Sequence, residues 1–89
     1  MVTLFVRHEV EDYVIWRREY DQSDATRKEM GVVSDSVHRG EDDPNMITVT
    51  HGFATLSAAK EFVGSDELQQ AMHKAGVTGQ PDIWFTEDV

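Results

Sequence analysis

The sequence predicts one α+β domain over residues 1–89, in which four antiparallel strands carry two helices on one face. Two observations lead to this fold class. Four short runs rich in Val, Ile, Phe and Thr have the composition of strands. Between the first and second runs, and again between the third and fourth, apolar residues recur at helical spacing. The order of elements is therefore β-α-β-β-α-β.

The first strand spans residues 2–10 and ends before Glu11 and Asp12. Asp12 is a residue type favoured at a helix N-cap. Beyond it, bulky side chains recur at intervals of three or four residues, which predicts a helix that ends at Gly31. They are Tyr13, Trp16 and Tyr20, followed more weakly by Ala25 and Met30.

The second half repeats this alternation of strand and helix. Residues 33–39 alternate as a half-buried strand, 40–45 form a turn, and 46–53 form the third strand. Thr55 or Ser57 can cap the second helix, which is interrupted at residues 64–65, where Ser65 begins a second segment. Residues 76–81 are predicted to be a loop, and 82–88 the last strand.

This order is that of the ferredoxin-like fold, with an expected sheet order of 4-1-3-2. One face of the first and third strands is the more apolar and is assigned to the helix-covered side. It carries Leu4, Val6, His8 and Val10, with Ile47, Val49, His51 and Phe53. The opposite face holds Phe5 and several Thr residues, which would be exposed to solvent in a monomer. We therefore expect a homodimer through that face.

Composition excludes several classes of function. The chain carries 17 acidic and 8 basic residues, a net charge of −9, which disfavours nucleic acid and anionic membranes as partners. It contains no Cys, which excludes disulfides and a thiol nucleophile and is typical of a cytoplasmic protein. The N-terminal apolar run is too short for a signal peptide or a membrane span. No phosphate-binding loop, GxSxG or HExxH motif is present.

His8 is the best candidate for chemistry, because an imidazole on an apolar strand face can act as general acid or base. The structural alternative is a core histidine bonded to a backbone carbonyl or to Tyr13. Tyr13 and Trp16 are predicted near the same end of the sheet, where they either line a pocket or simply fill the core. His51 is expected near the opposite end, roughly 10–12 Å from His8, which is too far for one metal ion.

Two stretches resemble the small cyclase-like dimeric α/β-barrel proteins of the antibiotic-biosynthesis-monooxygenase-like superfamily. The first is residues 6–10 with Asp12-Tyr13, Trp16 and Tyr20-Asp21. The second comprises residues 65–68, 71–72 and 75–77, with Gly79 and Pro81; the turn at 42–45 is also similar. The resemblance implies a dimer whose sheets face each other, and a pocket in each subunit between sheet and helices.

Members of this superfamily include cofactor-free oxygenases, polyketide cyclases and haem-degrading enzymes. Haem degradation is disfavoured, because the expected strand-one Asn is Arg7 or His8 and the expected Trp falls at Phe62. The expected His falls near Met72, with His73 one residue further.

We therefore expect a cofactor-free monooxygenase or cyclase that acts on a small aromatic or polyketide-like molecule. His8 would be the acid/base, and no cofactor or metal would be needed. The substrate would be bound by Tyr13, Trp16, Phe62, Met72 and His73. The alternative is a non-enzymatic module, either a ligand sensor or a structural dimer.

Overall fold

The computed structural model describes residues 1–89 and contains one four-stranded sheet. Its strands are β1 (Val2–Val10), β2 (Ser34–Arg39), β3 (Met46–Phe53) and β4 (Val77–Glu87). They lie in the order β2-β3-β1-β4, and each pair of neighbours is antiparallel. The predicted ferredoxin-like topology and strand order are confirmed.

The helical layer consists of four segments, α1 (Tyr13–Gln22), α2 (Asp24–Glu29), α3 (Leu56–Val63) and α4 (Asp66–Lys74). The break between α3 and α4 lies where the sequence predicts it, and the Ser65 hydroxyl accepts a hydrogen bond from the Leu68 N–H. The break between α1 and α2 was not predicted. Its cause is local, since the Ser23 hydroxyl donates to the Glu19 carbonyl one turn earlier, a bond that bends helices.

The predicted loop over residues 76–81 is wrong, because β4 already begins at Val77. The first residues of β4 pair with the end of β1, and the ladder is then interrupted until after Pro81. This irregularity lies opposite His8, and Gly79 within it has a φ of +69°, which favours glycine. Pro81 has no backbone N–H to donate, and an edge strand tolerates it because one side of that strand forms no ladder.

The predicted division of the sheet into two faces is confirmed. The face under the helices is buried throughout β1 and β3, and carries Leu4, Val6, His8, Val10, Ile47, Val49, His51 and Phe53. On the opposite face the rings of Phe5 and Trp84 stack with centroids 5.2 Å apart, and Trp84 is 41% exposed. No helix combines the length and the apolar character that a membrane span requires.

The cap of α3 offers a direct test of local structure. The Thr55 hydroxyl accepts a hydrogen bond from the Ala58 N–H at 3.1 Å, whereas Ser57 is an exposed residue inside the helix. We expect Thr55→Ala to lower the free energy of unfolding by about 1 kcal/mol. The control Ser57→Ala should leave it unchanged or raise it slightly, since Ala is the better helix former. Urea unfolding measures both, and equal losses would contradict the assignment.

Candidate functional site

A cavity of about 320 Å³ lies between the sheet and the helices, and we call it the sheet–helix cavity. Its floor is formed by β1 and β3, and its walls by all four helices. Most of its surface is apolar, but two histidines, one from each central strand, contribute to the floor. A volume of this order lies at the lower end of the range found for small-molecule sites.

His8 lies on the buried face of β1, and only 6% of the residue is exposed. Neither ring nitrogen has a hydrogen-bond partner. A purely structural His8 would donate to a backbone carbonyl or bond to Tyr13, and neither hydrogen bond is formed. The nearest aromatic contact is the edge of Trp16, with ring centroids 5.8 Å apart. Burial lowers the pKa of His8 to about 4, so its imidazole is neutral at pH 7.

A series of aromatic rings connects the two ends of the cavity. The rings of Trp16 and Tyr20 stack at 4.9 Å on successive turns of α1. Tyr20 is in turn nearly parallel to the imidazole of His51, with centroids 6.1 Å apart and planes 5° apart. Together with the contact between His8 and Trp16, these rings form a continuous path from one histidine to the other.

His51 belongs to a hydrogen-bonded network at the second end of the cavity. Its Nε2 lies 3.0 Å from the Tyr20 hydroxyl, which donates to a carboxylate oxygen of Asp35 at 2.8 Å. Since a carboxylate only accepts, the Tyr20 oxygen receives the Nε2–H of His51. Burial lowers the pKa of His51 to about 4, so the ring is neutral and Nδ1 keeps a lone pair without a partner.

The structure brings four of the six predicted site residues together. His8, Trp16, Phe62 and Met72 all line the cavity, while Tyr13 and His73 lie outside it. Tyr13 packs against Trp16 one turn before the cavity begins, and the guanidinium of Arg39 lies over its ring. His73 is exposed on α4, next to the inward-facing Met72.

Sequence reasoning missed His51, Tyr20 and Arg27, which also line the cavity. The register pairs Leu4 with His51, so the two histidines are four residues apart along the floor, about 13 Å. The predicted separation is therefore nearly right, but the cavity is long enough to include both ends. The available signal was that His8 and His51 share the apolar face. The structure contains no group of three His, Cys, Asp or Glu side chains that could hold a metal ion.

Neither a protein-family model nor a curated protein matches this chain. Solved structures do match it, 58 chains in all. One is a Bordetella bronchiseptica protein provisionally named antibiotic biosynthesis monooxygenase, 14% identical, covering 99% of this chain and 96% of its own, with a TM-score of 0.85. Another is SnoaB, a cofactor-independent oxygenase from Streptomyces nogalater, 14% identical, covering 99% and 92%, with a TM-score of 0.79.

A third match is a conserved protein from Methanosarcina mazei Go1, 13% identical, covering 99% of this chain and 92% of its own, with a TM-score of 0.77. At these identities the likeness establishes the fold. The chain has the fold of the antibiotic-biosynthesis-monooxygenase-like proteins, and the resemblance found in the sequence is confirmed at that level.

The two buried histidines predict how stability depends on pH. His8 binds a proton below about 6.5 when unfolded but only below about 4 when folded, so the unfolded chain holds more protons in between. The free energy of unfolding should therefore fall as the pH is lowered from 6.5 to 4, and His51 adds an effect of the same sign.

His8→Leu removes one of these contributions, so its unfolding free energy should fall less steeply over that range. At pH 7 the variant should be more stable than the wild type by about 1 kcal/mol, because two unpaired buried nitrogens are gone. His73→Gln, which changes an exposed histidine, is the control and should follow the wild-type curve. Urea titrations at several pH values measure these differences, and parallel curves for His8→Leu and wild type would contradict the assignment.

Proposed function

We propose that the chain binds a compact aromatic or polyketide-like molecule in the sheet–helix cavity and acts on it as a cofactor-free monooxygenase or cyclase. One observation carries the proposal. The buried side-chain nitrogens without a hydrogen-bond partner are three in number, and all three belong to the cavity histidines His8 and His51. An unpaired buried polar atom costs about 1–3 kcal/mol, a cost that a bound ligand with hydroxyl or carbonyl groups would relieve.

The cavity walls favour a flat, largely apolar ligand. The rings of Trp16, Tyr20 and Phe62 provide stacking surfaces, and Val6 and Val49 lie between the two histidines on the floor. Both His8 nitrogens are shielded from water. Binding therefore requires the His8 ring to turn about its side-chain bonds, so that a nitrogen meets the ligand.

His8 would act by moving a single proton. As a neutral imidazole it accepts the proton of a phenol or enol and leaves an electron-rich carbon in the substrate. In a cyclase the carbon attacks a carbonyl of the same molecule, and His8 returns the proton to the new alkoxide. In an oxygenase the carbon is oxidised by O2 to a hydroperoxide, which loses water to leave a quinone oxygen.

The neighbouring structures support the oxygenase reaction, because SnoaB is a cofactor-independent oxygenase with the same fold. Since one fold hosts many activities, the support from the fold is weaker than that from the site. A second candidate is a binding module without turnover. It is favoured by the low pKa of His8, about 4, because such an imidazole is a weak base.

A panel of quinols and polyketide-like phenols separates these candidates, with oxygen uptake, product formation and thermal stability followed together. An enzyme should consume oxygen or form a cyclised product with at least one phenol that also stabilises the protein. His8→Leu should then lower turnover by about a hundredfold or more, whereas His73→Gln should not. Stabilisation without turnover would identify a binding module, and the absence of both effects would contradict the proposal.

We also propose that the chain is a homodimer through the open face of its sheet. Phe5 and Trp84 form an exposed stacked pair on that face, and polar Thr side chains surround them. An 89-residue domain buries a modest share of its surface, so a twin sheet stacked on this face adds core.

Light scattering at micromolar concentration should give twice the chain mass of 10.1 kDa. Trp84→Glu should convert the dimer to a monomer, because it places a charge in the buried seam. Val14→Glu changes a residue that is 72% exposed on α1, in the helical layer, and serves as the control that stays dimeric. A monomeric mass for the wild-type protein would contradict the proposed dimer.

A further inference from the structure

His51 is the buried titratable group of the cavity that the mechanism above leaves without a role. It lies at the end opposite His8, with one ring nitrogen in a hydrogen bond and the other unpaired. That second nitrogen is buried like those of His8, so a ligand meets it only when neighbouring side chains shift. We infer that His51 is a second proton acceptor for the ligand, and that Tyr20 and Asp35 conduct its proton to solvent. This inference rests on the proposed function only in requiring that a ligand occupies the cavity.

The hydrogen bonds give this path a direction. The His51 Nε2–H points to the Tyr20 oxygen at 3.0 Å, and the Tyr20 O–H points to Asp35 at 2.8 Å. The side chain of Asp35 is 40% exposed, so the path ends in water. His51 and Tyr20 therefore each have an acceptor atom on the side that faces the cavity and a donor on the side that faces Asp35 and the solvent.

A proton can move along this path without leaving a charge behind. A new N–H bond forms at Nδ1 of His51 while the Nε2–H proton passes to the Tyr20 oxygen. The original Tyr20 proton then passes to Asp35, which releases it to water. His51 ends neutral as the Nδ1–H tautomer. The path is reset after the product leaves, when Nδ1 releases its proton to water in the cavity and a proton from solvent passes back through Asp35 and Tyr20 to Nε2.

The charges around His51 favour passage of the proton over its retention. Tyr20 from α1, Arg27 from α2 and Asp35 from β2 surround the ring, and Phe62 from α3 packs edge-on against it. Burial first, and then the positive charge of Arg27, lower the pKa of His51 to about 4. A proton taken from the ligand therefore does not stay on the imidazole at pH 7.

Arg27 also fixes Tyr20 in place. Its guanidinium lies 3.6 Å from the centroid of the Tyr20 ring, and Nη1 donates to the Tyr20 carbonyl at 2.6 Å. Nη2 lies 3.9 Å from Asp35 and 3.6 Å from Asp24, so both carboxylates balance a guanidinium that is almost fully buried. Arg27 therefore holds Tyr20 and Asp35 in place for the proton transfer, and both act on the ligand only through His51.

The test uses 5-nitrobenzisoxazole, a small aromatic probe of proton acceptors in apolar cavities. A base removes its ring C–H proton, the N–O bond breaks, and a coloured nitrile-bearing phenolate forms without any co-reactant. The wild-type protein should accelerate this elimination. His51→Gln keeps a donor for Tyr20 but removes the base, and should lower the rate at least about tenfold.

Tyr20→Phe keeps the ring stack and removes only the hydroxyl. It should show one fast turnover for each chain and then a rate about tenfold slower, which imidazole buffer restores. Asp35→Asn should behave similarly. Tyr13→Phe, on the same helix but outside the cavity, is the matched control and should equal wild type. Circular dichroism establishes that each variant is folded.

Imidazole buffer should not raise the elimination rate of the wild-type protein, because the path through Tyr20 and Asp35 already removes the proton. Full activity in Tyr20→Phe, or a loss that imidazole does not restore, would overturn the relay. Loss of activity in His8→Leu together with full activity in His51→Gln would overturn the inference and leave the proposed function standing. No acceleration by the wild-type protein would overturn the inference, whereas the proposed function is decided by the phenol panel.

Discussion

The antiparallel pairing of β1 with β3 determines where the two cavity histidines lie. Its register places His8 opposite Ile47 and His51 opposite Leu4, so both imidazoles point to the face that the helices cover. Because side chains alternate along a strand, a slip of one residue would turn both histidines to the open face. The apolar residues on the same face would turn with them, so burial of the core and placement of the histidines are specified together.

Burial of these imidazoles has a physical cost that the core must outweigh. Both histidines are almost fully enclosed, and desolvation keeps them neutral at pH 7. A histidine kept only for packing would be expected to find partners for its nitrogens, as the large majority of buried side-chain polar atoms do. Here the unpaired nitrogens lie beside a cavity, and the rest of the network at His51 is satisfied. This combination points to a ligand site where no sequence motif does.

The strands, their order and their faces could be predicted because each depends on local alternation. The start of β4 could not, since Gly79 and Pro81 have the composition of a loop although an edge strand accommodates them. The site could be predicted only in part. Trp16 follows from helical spacing, but the meeting of Tyr20, Asp35 and His51 depends on strand register and helix placement together, which no single stretch of sequence contains.

The protonation state of the buried imidazoles is the central claim, and nitrogen-detected NMR of a histidine-labelled sample measures it most directly. Between pH 7 and 4 the account predicts that His8 and His51 stay neutral until the pH approaches 4. His51 should also carry its proton on Nε2. Titration of His8 and His51 near 6.5 would show that water reaches them freely, and would contradict the account.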